Sequence, residues 1–170
     1  MRSKGVDIVK TTTPRGTLLS LAVMLVVAAV ARAAILQEKN PLAGTWNANL
    51  AKSKRHPNHL FKSATLRFAI TDDVVTLSYS GVNMSGMEEK GTTKFHPDGK
   101  EYPLEGMPGA VEVSRWRGGR IMETVVRQDG KVIGQSTFEV SSDGKTLTAN
   151  LKGADASGAW FEQIIVCDRE

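Results

Sequence analysis

The stretch Lys62-Ser63-Ala64-Thr65-Leu66-Arg67-Phe68-Ala69-Ile70-Thr71 puts Ala64, Leu66, Phe68 and Ile70 on one side of an extended chain, with Thr65, Arg67 and Thr71 on the other. A period of two is that of a strand with one dry face and one wet face. Working outward, the same pattern places strands near Thr45 to Leu50, Val74 to Ser80, Glu89 to Phe95 and Val111 to Trp116. It continues with Ile121 to Gln128, Val132 to Val140, Thr146 to Lys152 and Ala159 to Asp168. No interval is long enough for an extended helix. Ala51 to Leu60 has room for one short turn, which His56-Pro57 interrupts.

The links support the strands. Asp98-Gly99, Asp129-Gly130 and Asp143-Gly144 are each followed by lysine, and Gly118-Gly119 lies between two further strands. Such pairs supply the positive φ of tight hairpins. None has the alternating oxygen ligands and closing glutamate of a calcium loop. The carboxylate pair Asp72-Asp73 is likewise explained by a turn. Eight or nine strands on short links form an antiparallel meander, and closing it on itself removes its exposed edges. The expected fold over residues 41–170 is therefore all-β, a single antiparallel up-and-down barrel of about eight to ten strands. A two-sheet β-sandwich is the alternative.

The first strand opens with Pro41-Leu42-Ala43-Gly44-Thr45-Trp46. This Gly-x-Trp at the head of a meander, with the hairpins Arg127 to Val132 and Phe138 to Thr148, resembles lipocalins and fatty-acid-binding proteins, the calycin barrels. The chain is also similar to a broad group of exported bacterial proteins of unassigned function. The resemblance covers most of residues 41–168 and rests on short motifs. It implies that Gly44 and Trp46 have a structural role, closing one end of the barrel, and that the lumen binds a small apolar or amphipathic molecule. Two departures stop the ligand entrance from being carried over. Ala51 to Phe61 is too short for the helix-turn-helix lid of fatty-acid-binding proteins, and no helix follows the barrel as in lipocalins. The haem-binding nitrobindin type extends its tryptophan motif with glycines and uses a late histidine. Here Trp46 is followed by Asn47-Ala48-Asn49 and the last histidine is His96, so neither haem nor another cofactor is expected.

Charge narrows the function further. The chain of 170 residues has 22 basic and 18 acidic side chains, a net charge of +4. Arg2, Lys4, Lys10, Arg15, Arg32 and the acid Asp7 fall within the first 33 residues, which leaves the remainder balanced. The basic excess belongs to the leader, so nucleic acid is not an expected partner. That leader has a basic start, an apolar run from Leu18 to Val30 broken only by Ser20, and Ala31-Arg32-Ala33. These are the parts of a signal peptide cleaved after Ala33. Residues 34–40 then form a linker, and the barrel is exported to the periplasm or beyond. An uncleaved membrane anchor is the alternative, but the run is shorter than the roughly 20 apolar residues a bilayer needs. The single cysteine, Cys167, cannot form an internal disulfide and reads as a small packed side chain.

No nucleophile elbow, Walker loop, dinucleotide fingerprint or His-Glu-x-x-His occurs, so no catalytic residue is assigned and the protein reads as a non-enzyme. His56 and His59 lack a nearby cysteine or carboxylate to complete a metal set, and read as a surface loop. Strand-borne charges stand out more. On Val111 to Arg117 one face carries Arg115 and Arg117, the other Glu112, Ser114 and Trp116. On Ile121 to Gln128, Met122, Thr124 and Val126 share a face, opposite Glu123 and Arg127. If Arg115 or Arg127 faced inward, its guanidinium would suit an acidic ligand. The candidate ligand-binding residues are thus Phe68, Tyr79, Phe95, Arg115, Arg127 and Phe138. An eight-stranded barrel can be filled by its side chains or hold one small ligand, and the mixture of large and small residues allows either. A competing reading is a protease-inhibitor-like barrel whose segment Ala34 to Asn40 enters a protease cleft, although the disulfide of that group is missing.

Overall fold

The computed structural model describes residues 40–154 and 158–170. The leader read over residues 1–33, and all of the linker but Asn40, lie outside the described residues, and with them the inhibitor-like segment. The strands are β1 (Gly44–Ala48), β2 (Phe61–Thr71), β3 (Val74–Asn83), β4 (Glu88–Phe95) and β5 (Asp98–Pro103). They continue as β6 (Ala110–Arg117), β7 (Ile121–Gln128), β8 (Lys131–Val140), β9 (Thr146–Ala154) and β10 (Trp160–Arg169). All ten belong to one antiparallel sheet in the order β4-β3-β2-β1-β10-β9-β8-β7-β6-β5. The sheet curls into a barrel. Phe68 on β2 and Phe138 on β8 are four places apart in that order, yet their rings are 5.2 Å apart at 70°. The expected up-and-down barrel is found, as one sheet rather than the two of a sandwich.

The strand over Asp98–Pro103 is not in the sequence reading, which makes Asp98-Gly99 a hairpin turn. The structure corrects this. The corner is at His96-Pro97, where the Asp98 N–H donates to the His96 carbonyl at 2.8 Å, and Asp98, followed by Gly99 with φ of 81°, starts an edge strand. β4 and β5 are consecutive but do not pair, so the barrel has a seam between them. An edge strand needs no apolar alternation, which is why Asp-Gly-Lys-Glu-Tyr-Pro gives no strand signal. Charges on both edges and Pro103 on β5 discourage pairing with another chain. Asp129-Gly130 does turn a hairpin, with φ of 50° and 77° at its two central residues.

One end of the barrel is packed solid by Leu42, Trp46, Met122, Phe138, Val140 and Leu147. Trp46 is fully buried, and its Nε1 donates to the Leu42 carbonyl at 3.0 Å. The Arg169 guanidinium lies 4.1 Å above its ring and donates to the Ala43 carbonyl at 3.0 Å and to the Pro41 carbonyl. A methyl group at Gly44 would stand 2.8 Å from Arg169 Nη1, so glycine is what lets the arginine cross. Thus the first and last strands are latched together over the tryptophan. Cys167 is buried beside them, and burial pushes its thiol up to about 11, which makes it unreactive.

Candidate functional site

Along several strands the inward side chains become smaller away from the packed end. β8 presents Val140 and Phe138, then Ser136 and Gly134; its partner positions on β9 are Leu147, Ala149, Leu151 and Gly153. On β3 the series runs Val75, Leu77, Tyr79, Gly81, opposite Ile70, Phe68, Leu66 and Ala64 of β2. A cavity of about 480 Å³ opens where the residues are small, with Phe138 and Ile165 at its floor and Ala48, Ala64, Leu66 and Leu151 in its walls.

The connection from β1 to β2 forms one side of the mouth. After β1 the chain follows the edge of β10: Lys54 and Ile164 exchange two backbone hydrogen bonds of 2.8 Å, and the Val166 N–H donates to Ser53 Oγ at 3.0 Å. Pro57–His59 then makes a single 3₁₀ turn, in which the His56 side chain accepts from the Asn58 N–H at 3.3 Å. The sequence reading has His56-Pro57 interrupt a turn here, whereas the proline starts it, at a position where its missing N–H costs nothing. His59 packs on Phe161 with ring centroids 4.2 Å apart, and both His59 and Phe61 line the cavity. Among the described residues no group of three possible metal ligands forms.

The wall is mainly apolar, with Ser63, Ser80, Asn83 and Glu89 on the β2–β4 side and two further polar side chains, His59 and Gln163, on the other. His59 Nε2 and Gln163 Oε1 are buried and have no hydrogen-bond partner. No lysine or arginine lines the cavity; its one charged residue is the exposed Glu89, which accepts from Asn83 Nδ2 at 2.8 Å.

Of the six residues read from sequence as ligand-binding, Phe138 and Tyr79 line this cavity. Tyr79 is 44% exposed at the rim, its ring lying over Gly91. Phe68 and Phe95 belong to the packed cluster and do not line the cavity. Arg115 and Arg127 are on the outward face, so the inward-facing condition behind their assignment is not met. Arg115 is exposed opposite Glu123, while the inward series on β6 and β7 is Ala110, Glu112, Ser114, Trp116 and Met122, Thr124, Val126. With this face inward, the buried Ser114 and Thr124 hydroxyls satisfy each other at 2.7 Å, and Arg115 and Glu123 keep their charges in solvent.

That arrangement puts Glu112 inside. It is 3% exposed and borders a second cavity of about 420 Å³ at the seam, together with His96 and Tyr102. The His96 backbone N–H donates to its carboxylate, but burial dominates and pushes the carboxyl up to about 7. The His96 and Tyr102 rings stack at 4.1 Å, and the Tyr102 hydroxyl donates to Asp98 at 2.9 Å. Glu112, His59 and Gln163 were all missed from sequence. Gln163 had a legible signal, since it alternates with Phe161, Ile165 and Cys167 on a dry face.

No family model matches the sequence, and no curated protein matches it. Among solved structures, the fluorescent protein UnaG superposes with a TM-score of 0.51 at 18% identity, covering 75% of this chain and 96% of that one. Zebrafish ileal bile acid-binding protein, complexed with cholic acid, gives 0.51 at 15% identity over 76% and 99%. At these identities the likeness is one of fold. The chain has the up-and-down barrel fold of the lipocalin and fatty-acid-binding-protein group.

Proposed function

We propose that the protein is an exported binding protein, not an enzyme, which holds a small hydrophobic or amphipathic molecule in the cavity at the mouth of its barrel. The observation that carries this reading is the cavity itself, about 480 Å³ of mainly apolar space built by strands that also close the opposite end. Its volume is that of an ordinary small-molecule site. The zebrafish neighbour is complexed with cholic acid, an amphipathic molecule. Export rests on the leader read in residues 1–33, and N-terminal sequencing of the protein from its host tests cleavage after Ala33.

Native mass spectrometry of protein purified from its host tests the binding, with Nile red fluorescence as a second readout. A bound apolar species and a blue-shifted, saturable Nile red signal that Ala64→Phe abolishes are expected. Protein that is ligand-free and does not take up the dye would refute the reading.

A further inference from the structure

Resting on that reading, we infer that the ligand is a neutral amphiphile whose polar end, a hydroxyl or carboxamide, sits against His59 and Gln163. Both side chains border the same cavity, and each brings a buried polar atom with nothing to bond, His59 Nε2 and Gln163 Oε1. Buried polar atoms normally have partners, and two orphans in side chains that line one cavity mark where a partner belongs, whereas the polar Asn83 and Glu89 of the same lining already bond each other. An imidazole and a carboxamide can each be met by a hydroxyl or an amide, because those groups both donate and accept. Turning the Gln163 amide exchanges donor for acceptor and leaves this match intact.

A carboxylate end fits poorly. A buried anion needs a cation or several donors, or it costs several kcal/mol. No lysine or arginine lines the cavity. Arg55 donates to the Phe61 carbonyl at 2.8 Å and lies over the Phe61 ring, and with Lys54 it lines the neighbouring outer cavity and not this one. The charge at the rim is that of Glu89, which would repel an acid. The two arginines that could have received an acid from the barrel wall, Arg115 and Arg127, point outward. The cavity is thus selective by what it omits, in the sense that specificity is a difference of affinities.

The test is displacement of Nile red from the full protein by a series with one chain length: 1-decanol, decanamide, decanoate and decyltrimethylammonium. Decanol and decanamide are expected to displace the dye at least tenfold more tightly than either ion. Gln163→Leu should reduce that preference severalfold while Nile red still binds, which separates loss of recognition from loss of folding. Decanoate binding as tightly as decanol, with the dye bound normally, would overturn the neutral end and leave the lumen reading standing. Exclusion of the dye and of every member of the series would overturn both.

Discussion

The two ends of this barrel are built by the same strands and have opposite characters. At the packed end Trp46 is roofed by Arg169 and floored by Leu42, Met122 and Leu147, with polar groups satisfied by backbone carbonyls. At the mouth the inward residues shrink to Ala48, Ala64 and Gly134, two polar atoms are unpartnered, and large side chains such as Leu60, Met84, Met87 and Trp160 stand exposed around it. Among the described residues no large apolar side chain is exposed at the packed end. Dense packing and open space are thus separated along β1, β2, β3, β8, β9 and β10: the inward residues nearer Trp46 form the core, and those farther away line the cavity.

Truncating one side chain at each end should separate them most clearly. Trp46→Ala should cost about 3–5 kcal/mol in urea unfolding. Leu151→Ala, in the cavity wall, should cost less than about 2 kcal/mol, because it deletes contacts to an opening and not to a dense core. Equal losses would deny the segregation.

The seam gives the next largest effect. Glu112 is raised from 4.5 to about 7 in the fold, so below pH 4.5 it is protonated whether the chain is folded or not. Between pH 4.5 and 7 the unfolded chain releases a proton that the native state keeps, and stability falls as pH rises through that window. Glu112→Gln removes the penalty: it should match the wild type at pH 4 and exceed it by about 1–3 kcal/mol at pH 8. A variant less stable at pH 8 would mean that the charged carboxylate and the His96 N–H are a net asset.

Smaller changes separate the site from the scaffold. Ala64→Phe should fill the mouth and weaken Nile red binding more than tenfold, while shifting stability by about 1 kcal/mol or less, since the ring enters existing space. Arg115→Met should change stability by less than about 0.5 kcal/mol and leave binding within twofold of the wild type, as befits an exposed side chain. A clear loss of affinity there would bring that strand's outward face back into the site.

Where the sequence was legible, it was so because water enforces it. Ala64, Leu66, Phe68 and Ile70 could only be an inward face, and Asp129-Gly130 could only turn a hairpin, since both follow from local burial and local backbone sterics. Val111 to Arg117 was not legible in the same way. Its two faces are similarly mixed, and the choice between Glu112 and Arg115 depended on what stood across the barrel and on the neighbouring strand, Thr124 for Ser114. His59 read as part of a surface loop, because its place over the cavity comes from the chain following the edge of β10, a contact between residues more than a hundred positions apart.

By itself, then, the sequence determined a single meander of alternating strands with its tryptophan near the start, because solvent sorts side chains two by two along any half-buried strand. Packing across the whole barrel decided that the sheet curls to leave a seam between β4 and β5, that one end is filled and the other hollow, and that His59 joins the dry-face Gln163 at the hollow. Those outcomes depend on the sums of side-chain volumes brought together from distant strands, and no local pattern encodes such a sum.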